Sequence, residues 1–101
     1  MGFVRVLQEK DLAPNAMKGV QAEGKKILVA NVGRNYYAIG DVCTHLGCLL
    51  SGGRLAGDNV VCPCHASSFS VKTGSVIKGP AKNPAPTYQV KVEGDQVLVN
   101  V

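Results

Sequence analysis

Aromatic side chains and long apolar runs are scarce in this chain of 101 residues. It has no tryptophan, three tyrosines and two phenylalanines, so aliphatic side chains must supply most of a core. No apolar stretch approaches the roughly 20 residues that a membrane-spanning helix needs. Residues 1–6 show neither a signal peptide nor a twin-arginine pattern. We therefore expect a chain without a membrane anchor that works in the cytoplasm.

The charge balance is moderately basic and does not indicate a nucleic-acid partner. The 11 Lys and Arg residues exceed the 7 Asp and Glu residues, which gives a formal charge of +4. The basic residues are scattered and no patch interleaves them with aromatic side chains, which argues against nucleic-acid binding. Such an excess is explained by solubility alone, and it also suits docking to an acidic protein partner.

Length and residue patterns predict a single all-β domain over residues 1–101. Valine and glycine are abundant, which favours strands and turns over helices. The alternation of apolar residues between turn signals predicts strands at residues 3–7, 18–22, 27–32, 36–39, 54–55, 60–61, 68–71, 75–77, 88–92 and 96–101. Tyr36 and Tyr37 point to opposite faces of their strand, so at most one of them is expected to pack towards the core.

All four cysteines and both histidines fall in two short segments, residues 43–48 (CTHLGC) and 62–65 (CPCH). The 16 residues between His45 and Cys62 are enough for a strand, a turn and a second strand. A β-hairpin of that length would bring the two segments side by side. Thiolate and imidazole together suit zinc, copper and iron, so the pair of segments is a candidate metal site.

The spacing within each segment bears on which metal is bound. Cys43 and His45 are separated by one residue, which is tight for chelating a single zinc ion. The spacing readily allows the two side chains to bind different metal atoms, as in a [2Fe–2S] centre with two cysteines on one iron and two histidines on the other. A zinc-loaded site and a disulfide-stapled β-domain with incidental histidines are the alternatives.

The two segments resemble the two cluster-binding boxes of the Rieske iron–sulfur proteins. The match covers six consecutive residues in one box and four in the other, in the right order and at the expected separation. The resemblance implies an antiparallel β-sandwich with a cluster-binding subdomain inserted at about residues 42–70. It also implies that Cys43 and Cys62 bind one iron of a single [2Fe–2S] cluster, and that His45 and His65 bind the other.

The remaining cysteines, Cys48 and Cys64, lie inside the two boxes. In cytochrome bc-type Rieske proteins, cysteines at these positions form a disulfide that joins the two loops, and the resemblance implies the same bond here. Disulfides are uncommon in cytosolic proteins of mesophiles but not in those of hyperthermophiles. Two reduced, buried thiols are the alternative.

The resemblance also implies roles for residues around the cluster. Leu46 is expected to shield it from water, and the Ser67 hydroxyl to donate a hydrogen bond to a sulfur. Phe69 stands where high-potential members have a tyrosine, which predicts a lower potential, since hydrogen bonds to the sulfurs help set it. Gly79 and Pro80 are expected to form, with the next residue, a proline loop that covers the cluster from a third side.

One residue departs from the usual pattern of the second box. Ala66 occupies the position after the second histidine, where the family usually has glycine. This predicts either a backbone with negative φ at Ala66 or a position that tolerates a small side chain.

The function implied by the resemblance is one-electron transfer by a soluble Rieske-type ferredoxin. The protein would accept electrons from a reductase and pass them to a terminal oxidase or oxygenase-type acceptor. We expect no catalysis of its own, because both histidines are used as ligands. Three alternatives remain open: the cluster domain of a respiratory Rieske subunit, the small subunit of a larger oxidoreductase, and a zinc-binding or disulfide-stapled interaction module.

Overall fold

The described part of the chain folds into antiparallel β-sheets with no α-helix. This computed structural model describes residues 2–43, 47–64, 66–79 and 81–101. Within those residues no helix has the length and hydropathy to span a membrane. The strands are β1 Phe3–Gln8, β2 Ala16–Ala22, β3 Lys25–Val32, β4 Asn35–Gly40, β5 Arg54–Ala56, β6 Asn59–Val61, β7 Ser68–Ser70, β8 Val76–Lys78, β9 Thr87–Tyr88, β10 Val90–Glu93 and β11 Gln96–Asn100.

The strands form three sheets, and the sheet with β3 packs against both of the others. The central sheet has the order β2-β3-β4-β9, and the other two have the orders β1-β11-β10 and β5-β6-β7-β8. All pairings between neighbouring strands are antiparallel. This architecture confirms the predicted all-β sandwich, with the β5–β8 sheet carried between β4 and β9.

Strand β3 is buried on both faces because each face packs into a different core. Ile27 and Val29 lie in one core, which we call the base core, together with Val97 and Val99 of β11. Leu28 and Ala30 lie in a second core, the site core, whose members are Leu28, Ala30, Ile39, Cys43, Leu50, Val60, Cys62, Phe69, Val71, Ala81 and Ala85. Successive residues of a strand point to opposite faces, so a strand between two cores becomes a continuous apolar run.

The two tyrosines of β4 show the same division, and the prediction that at most one of them packs inwards is wrong. Tyr36 packs against the base core and Tyr37 against the site core. The prediction assumed one core, whereas the central sheet has one on each side. Burial, and then the negative charge of Glu9, raise the pKa of the Tyr36 hydroxyl.

The third sheet is placed so that two loops meet next to the site core. One loop follows the end of β4, and the other connects β6 to β7. These loops contain the two segments that hold all four cysteines. The hairpin of β5 and β6, with Leu55 opposite Val60, leads the chain from one loop to the other as the spacing predicted.

Candidate metal centre

The first loop, residues 43–48, is closed by hydrogen bonds between backbone groups. The amide N–H of Cys43 donates to the carbonyl oxygen of Cys48, with an N···O distance of 2.7 Å. The amide of Gly47 donates back to the carbonyl oxygen of Cys43 at 2.9 Å. Gly47 has a φ of 78°, a left-handed conformation that glycine adopts without steric cost.

The second loop, residues 62–67, repeats this backbone arrangement. The amide of Cys62 donates to the carbonyl oxygen of Ser67 at 2.7 Å, and the amide of Ala66 donates to the carbonyl oxygen of Cys62 at 3.2 Å. Both bonds have the same spacing along the chain as in the first loop. Each loop therefore presents its first cysteine from an equivalent backbone frame.

Ala66 occupies the position in the second loop that Gly47 occupies in the first. Its φ is 60°, so the backbone is left-handed there as well. Of the two interpretations of the missing glycine, the one with negative φ is wrong. Alanine is the smallest residue with a Cβ, and it holds a conformation that glycine would adopt at lower cost.

A disulfide between Cys48 and Cys64 joins the two loops, with their Cα atoms 6.5 Å apart. The predicted bond is therefore confirmed, and the alternative of two reduced thiols is wrong. Cys43 and Cys62 are free and buried, with exposures of 2% and 3%. The disulfide therefore leaves one free, buried thiol at the start of each loop.

These residues fit a cluster with mixed cysteine and histidine ligation. Two thiols on matching loops lie in one apolar core, which excludes water and suits metal–sulfur bonding. The cluster needs two further nitrogen ligands. His45 and His65, the residues expected to supply them, lie outside the described residues, as do Leu46 and Pro80.

Ser67 is fully buried at the end of the second loop. Its Oγ accepts a hydrogen bond from the backbone amide of Ala81, with a distance of 3.0 Å. In the described part of the chain no acceptor takes up the hydrogen of this hydroxyl. The hydroxyl therefore has a hydrogen left to donate, as its expected role towards a cluster sulfur requires.

Two other residues named from the sequence, Phe69 and Gly79, differ in burial. Phe69 is fully buried in the site core with Cys43 and Cys62, so it contributes an apolar wall. Gly79 is exposed, while Ala81, two residues later, is buried against Ser67. The proline-containing segment thus contacts the second loop through Ala81.

Asp41 was not singled out from the sequence, although it fastens the two ends of the first loop. Its carboxylate accepts hydrogen bonds from the Ser51 amide and hydroxyl, both at 2.7 Å, and is buried. A side chain on Gly19 would approach Ser51 Oγ to 2.6 Å and Asp41 Oδ2 to 2.7 Å, so glycine makes room for the pair. The one available signal was a lone carboxylate directly after a buried strand.

Comparison with known proteins identifies the family. Residues 2–89 match the model of the Rieske [2Fe-2S] domain. The ferredoxin component of biphenyl 2,3-dioxygenase from Rhodococcus jostii (strain RHA1) is 40% identical over 101 residues, which cover 100% of this chain and 94% of that protein.

Solved structures agree with this match. The ferredoxin of carbazole 1,9a-dioxygenase from Nocardioides aromaticivorans IC177 superposes with a TM-score of 0.93 at 30% identity, covering 98% of this chain and 97% of that one. A chain from a complex of reduced oxygenase and oxidized ferredoxin in carbazole 1,9a-dioxygenase superposes with a TM-score of 0.91 at 34% identity, covering 96% and 91%. On the evidence of its paired loops, its sheets and these relatives, the chain belongs to the Rieske [2Fe-2S] domain family.

Proposed function

We propose that this protein is a one-electron carrier that holds its [2Fe–2S] cluster between the two loops. Cys43 and Cys62 would bind one iron, and His45 and His65 the other. The observation that carries the proposal is the pair of buried free thiols on loops with the same backbone frame and a shared disulfide. When bound, such a cluster accepts and releases one electron.

The surrounding residues set the conditions for that exchange. Phe69 and the other side chains of the site core exclude water around the two thiols. The Ser67 hydroxyl, which accepts a hydrogen bond from the Ala81 amide, would donate one to a cluster sulfur. Hydrogen bonds of this kind favour the more negative, reduced cluster and so raise its potential.

The acceptor that fits best is a terminal oxygenase, with a reductase as donor. The relative from Rhodococcus jostii is named as a ferredoxin component of a dioxygenase, and the carbazole dioxygenase complex pairs a ferredoxin with its oxygenase. In this proposal the protein has no catalysis of its own and works in the cytoplasm. The chain would form one domain, residues 1–101, with the cluster-binding part at about residues 42–70.

The test is a spectroscopic comparison of anaerobically purified protein before and after reduction by dithionite. We expect a visible chromophore that bleaches and a low-temperature EPR signal with an average g value below that of the free electron, as mixed Cys/His ligation gives. Cys43→Ser and Cys62→Ser should lose the signal, while Cys48→Ser, the matched control from the same loops, should retain it. A colourless sample without iron or sulfide, even after anaerobic reconstitution, contradicts the proposal.

A respiratory Rieske subunit is the second candidate, and the observed Cys48–Cys64 disulfide is the feature that favours it. Phe69, which lacks the hydroxyl found in high-potential members, favours a ferredoxin. Voltammetry at neutral pH separates the two. A potential near the upper end of the range of roughly −150 to +300 mV for Rieske centres would favour the respiratory subunit.

A further inference from the structure

The positive charge of the chain is concentrated in the part that carries the two loops. Residues 42–86 contain four basic residues and one acidic residue, a formal charge of +3. The rest of the chain contains seven basic and six acidic residues, a formal charge of +1. We infer that the loop-bearing end is a basic docking surface for an acidic face of the redox partner. This inference rests on the proposed function, because it places electron exchange at that end.

Three of the four basic residues lie next to the second loop. Lys78 of β8 pairs with Ser68, which directly follows the loop. Lys82 directly follows Ala81, whose amide donates to Ser67 within the loop. Arg54 of β5 pairs with Val61, the residue before Cys62. All three are exposed, so their charges act on whatever approaches the loop. We call Arg54, Lys78 and Lys82 the basic rim.

Nearby carboxylates do not neutralise the basic rim. Asp58, the acidic residue of this part of the chain, lies 3.5 Å from the ammonium group of Lys72, the fourth basic residue. Asp41, just before the first loop, is buried and holds Ser51. Among the described residues no carboxylate forms an ion pair with a member of the basic rim. Its charge is therefore available to an external partner.

Exposed apolar side chains accompany the basic rim. Val42 and Leu49 face each other in a β-bridge at the base of the first loop and are 42% and 43% exposed. Ile77, the neighbour of Lys78, is 54% exposed. Protein interfaces commonly combine an apolar centre with a polar rim. This combination suits a protein face with carboxylates placed around an apolar contact.

An acidic partner face is favoured over a neutral or basic one by long-range electrostatics. Opposite charges speed the encounter of two proteins and orient it before contact, and the effect weakens as salt is added. Because the positive charge lies at one end, such steering would turn the loops towards the partner and the end that contains the base core away from it. The orientation that docks therefore coincides with the orientation that exchanges an electron.

The test uses two small oxidants of opposite charge, so it needs no purified partner. Dithionite-reduced protein is mixed in a stopped-flow instrument with an anionic cobalt(III)–EDTA complex or a cationic cobalt(III)–phenanthroline complex. In each case one electron leaves the protein and reduces cobalt(III) to cobalt(II). We expect the rate with the anion to fall several-fold as ionic strength rises from about 10 to about 500 mM, and the rate with the cation to rise.

Variants show whether the effect is local. Lys78→Gln with Lys82→Gln should remove most of the salt dependence with the anion. The double variant Lys10→Gln with Arg34→Gln removes the same formal charge from exposed positions. Arg34 lies in the turn before β4, whereas the first loop follows the opposite end of that strand. This control should keep most of the dependence. The single variants Lys78→Gln and Lys82→Gln, each with about half the effect, replace the double variant if it loses its absorption spectrum.

Two failures are distinguishable. Equal changes in salt dependence for the two double variants would mean that only net charge matters, which overturns the docking surface and leaves the electron carrier intact. A protein that shows no bleachable chromophore would instead overturn the proposed function, and the docking surface with it.

Discussion

The residues that form the candidate site are few, and several of them act by fixing the position of another group. Cys43 and Cys62 were identified from spacing and resemblance, because soft ligands have little other use at such density. Asp41 and Ser51 were not identified, because their hydrogen bonds join positions 10 residues apart in the chain. Likewise, the left-handed φ of Ala66 follows from the hydrogen bonds of the second loop, which the residue type does not reveal.

The first prediction concerns Asp41. Replacing it by alanine leaves the partly buried Ser51 amide and hydroxyl without their acceptor, which costs about 1–3 kcal/mol. Thermal melting and the rate of iron loss to a chelator should both worsen in Asp41→Ala. Ser51→Ala, the control, removes the hydroxyl bond alone and should have a smaller effect on both. Equal melting temperatures for Asp41→Ala and the native protein would show that the carboxylate does not hold the loop.

The second prediction concerns the hydroxyl of Ser67. Ser67→Ala removes the hydroxyl that we propose donates to a sulfur and so favours the reduced cluster, and a loss of about 1 kcal/mol corresponds to a fall of roughly 40 mV in potential. Voltammetry of the neighbouring variant Ser68→Ala provides the control, since Ser68 lies in β7 and is only partly buried. If both variants keep the native potential, the Ser67 hydroxyl does not reach a sulfur and serves only to hold Ala81.

At the scale of elements, most strands were predicted closely and the loops were not. Alternating residues and turn signals locate β11 to within one residue, because Val97 and Val99 face the base core and the residues between them are only partly buried. The segment predicted as one strand over residues 88–92 is instead divided between β9 and β10, which belong to different sheets. The two loops have no such periodicity. Their matching hydrogen bonds become visible only when the third sheet has brought them together. The motifs therefore predicted candidate ligands, and the structure adds the matching backbone frames of the two loops.

The third prediction is about the link between these loops. The disulfide joins residues 16 apart in sequence, and a loop of this length restricts the unfolded chain by about 3 kcal/mol in the chain-entropy model. Cys48→Ser and Cys64→Ser should therefore each lower the melting temperature under oxidising conditions. Adding a reductant should lower the melting temperature of the native protein towards theirs and leave the variants unchanged. If the melting temperature of the native protein is the same with and without the reductant, the disulfide does not stabilise the fold.

On the scale of the whole molecule, the chain builds two cores around one central sheet. The prediction for Tyr36 and Tyr37 assumed a single core, because the continuous buried run Ile27–Asn31 of β3 does not reveal that its alternate residues face different cores. Only the packing of the other two sheets shows this division. Cys43 and Cys62 both lie in the site core, so only one of the two cores surrounds the proposed metal ligands.

The fourth prediction tests that division with two adjacent residues of β3. Leu28→Ala and Ile27→Ala each remove a fully buried side chain and should cost roughly 2–5 kcal/mol of stability. Leu28 packs into the site core and Ile27 into the base core. Leu28→Ala should therefore release iron to a chelator several-fold faster than Ile27→Ala. The same release rate in two variants of equal melting temperature would mean that the cores behave as one.

Strand β3 also bears on how such a protein can diverge. Since one wall separates two interiors, substitutions that alter the surroundings of the cysteines need not disturb the packing on the other side. A lineage that adapts to a different electron acceptor can substitute residues of the site core while the base core stays unchanged. The two faces of a single strand thus allow the surroundings of the cysteines and the packing of the base core to be selected in relative independence.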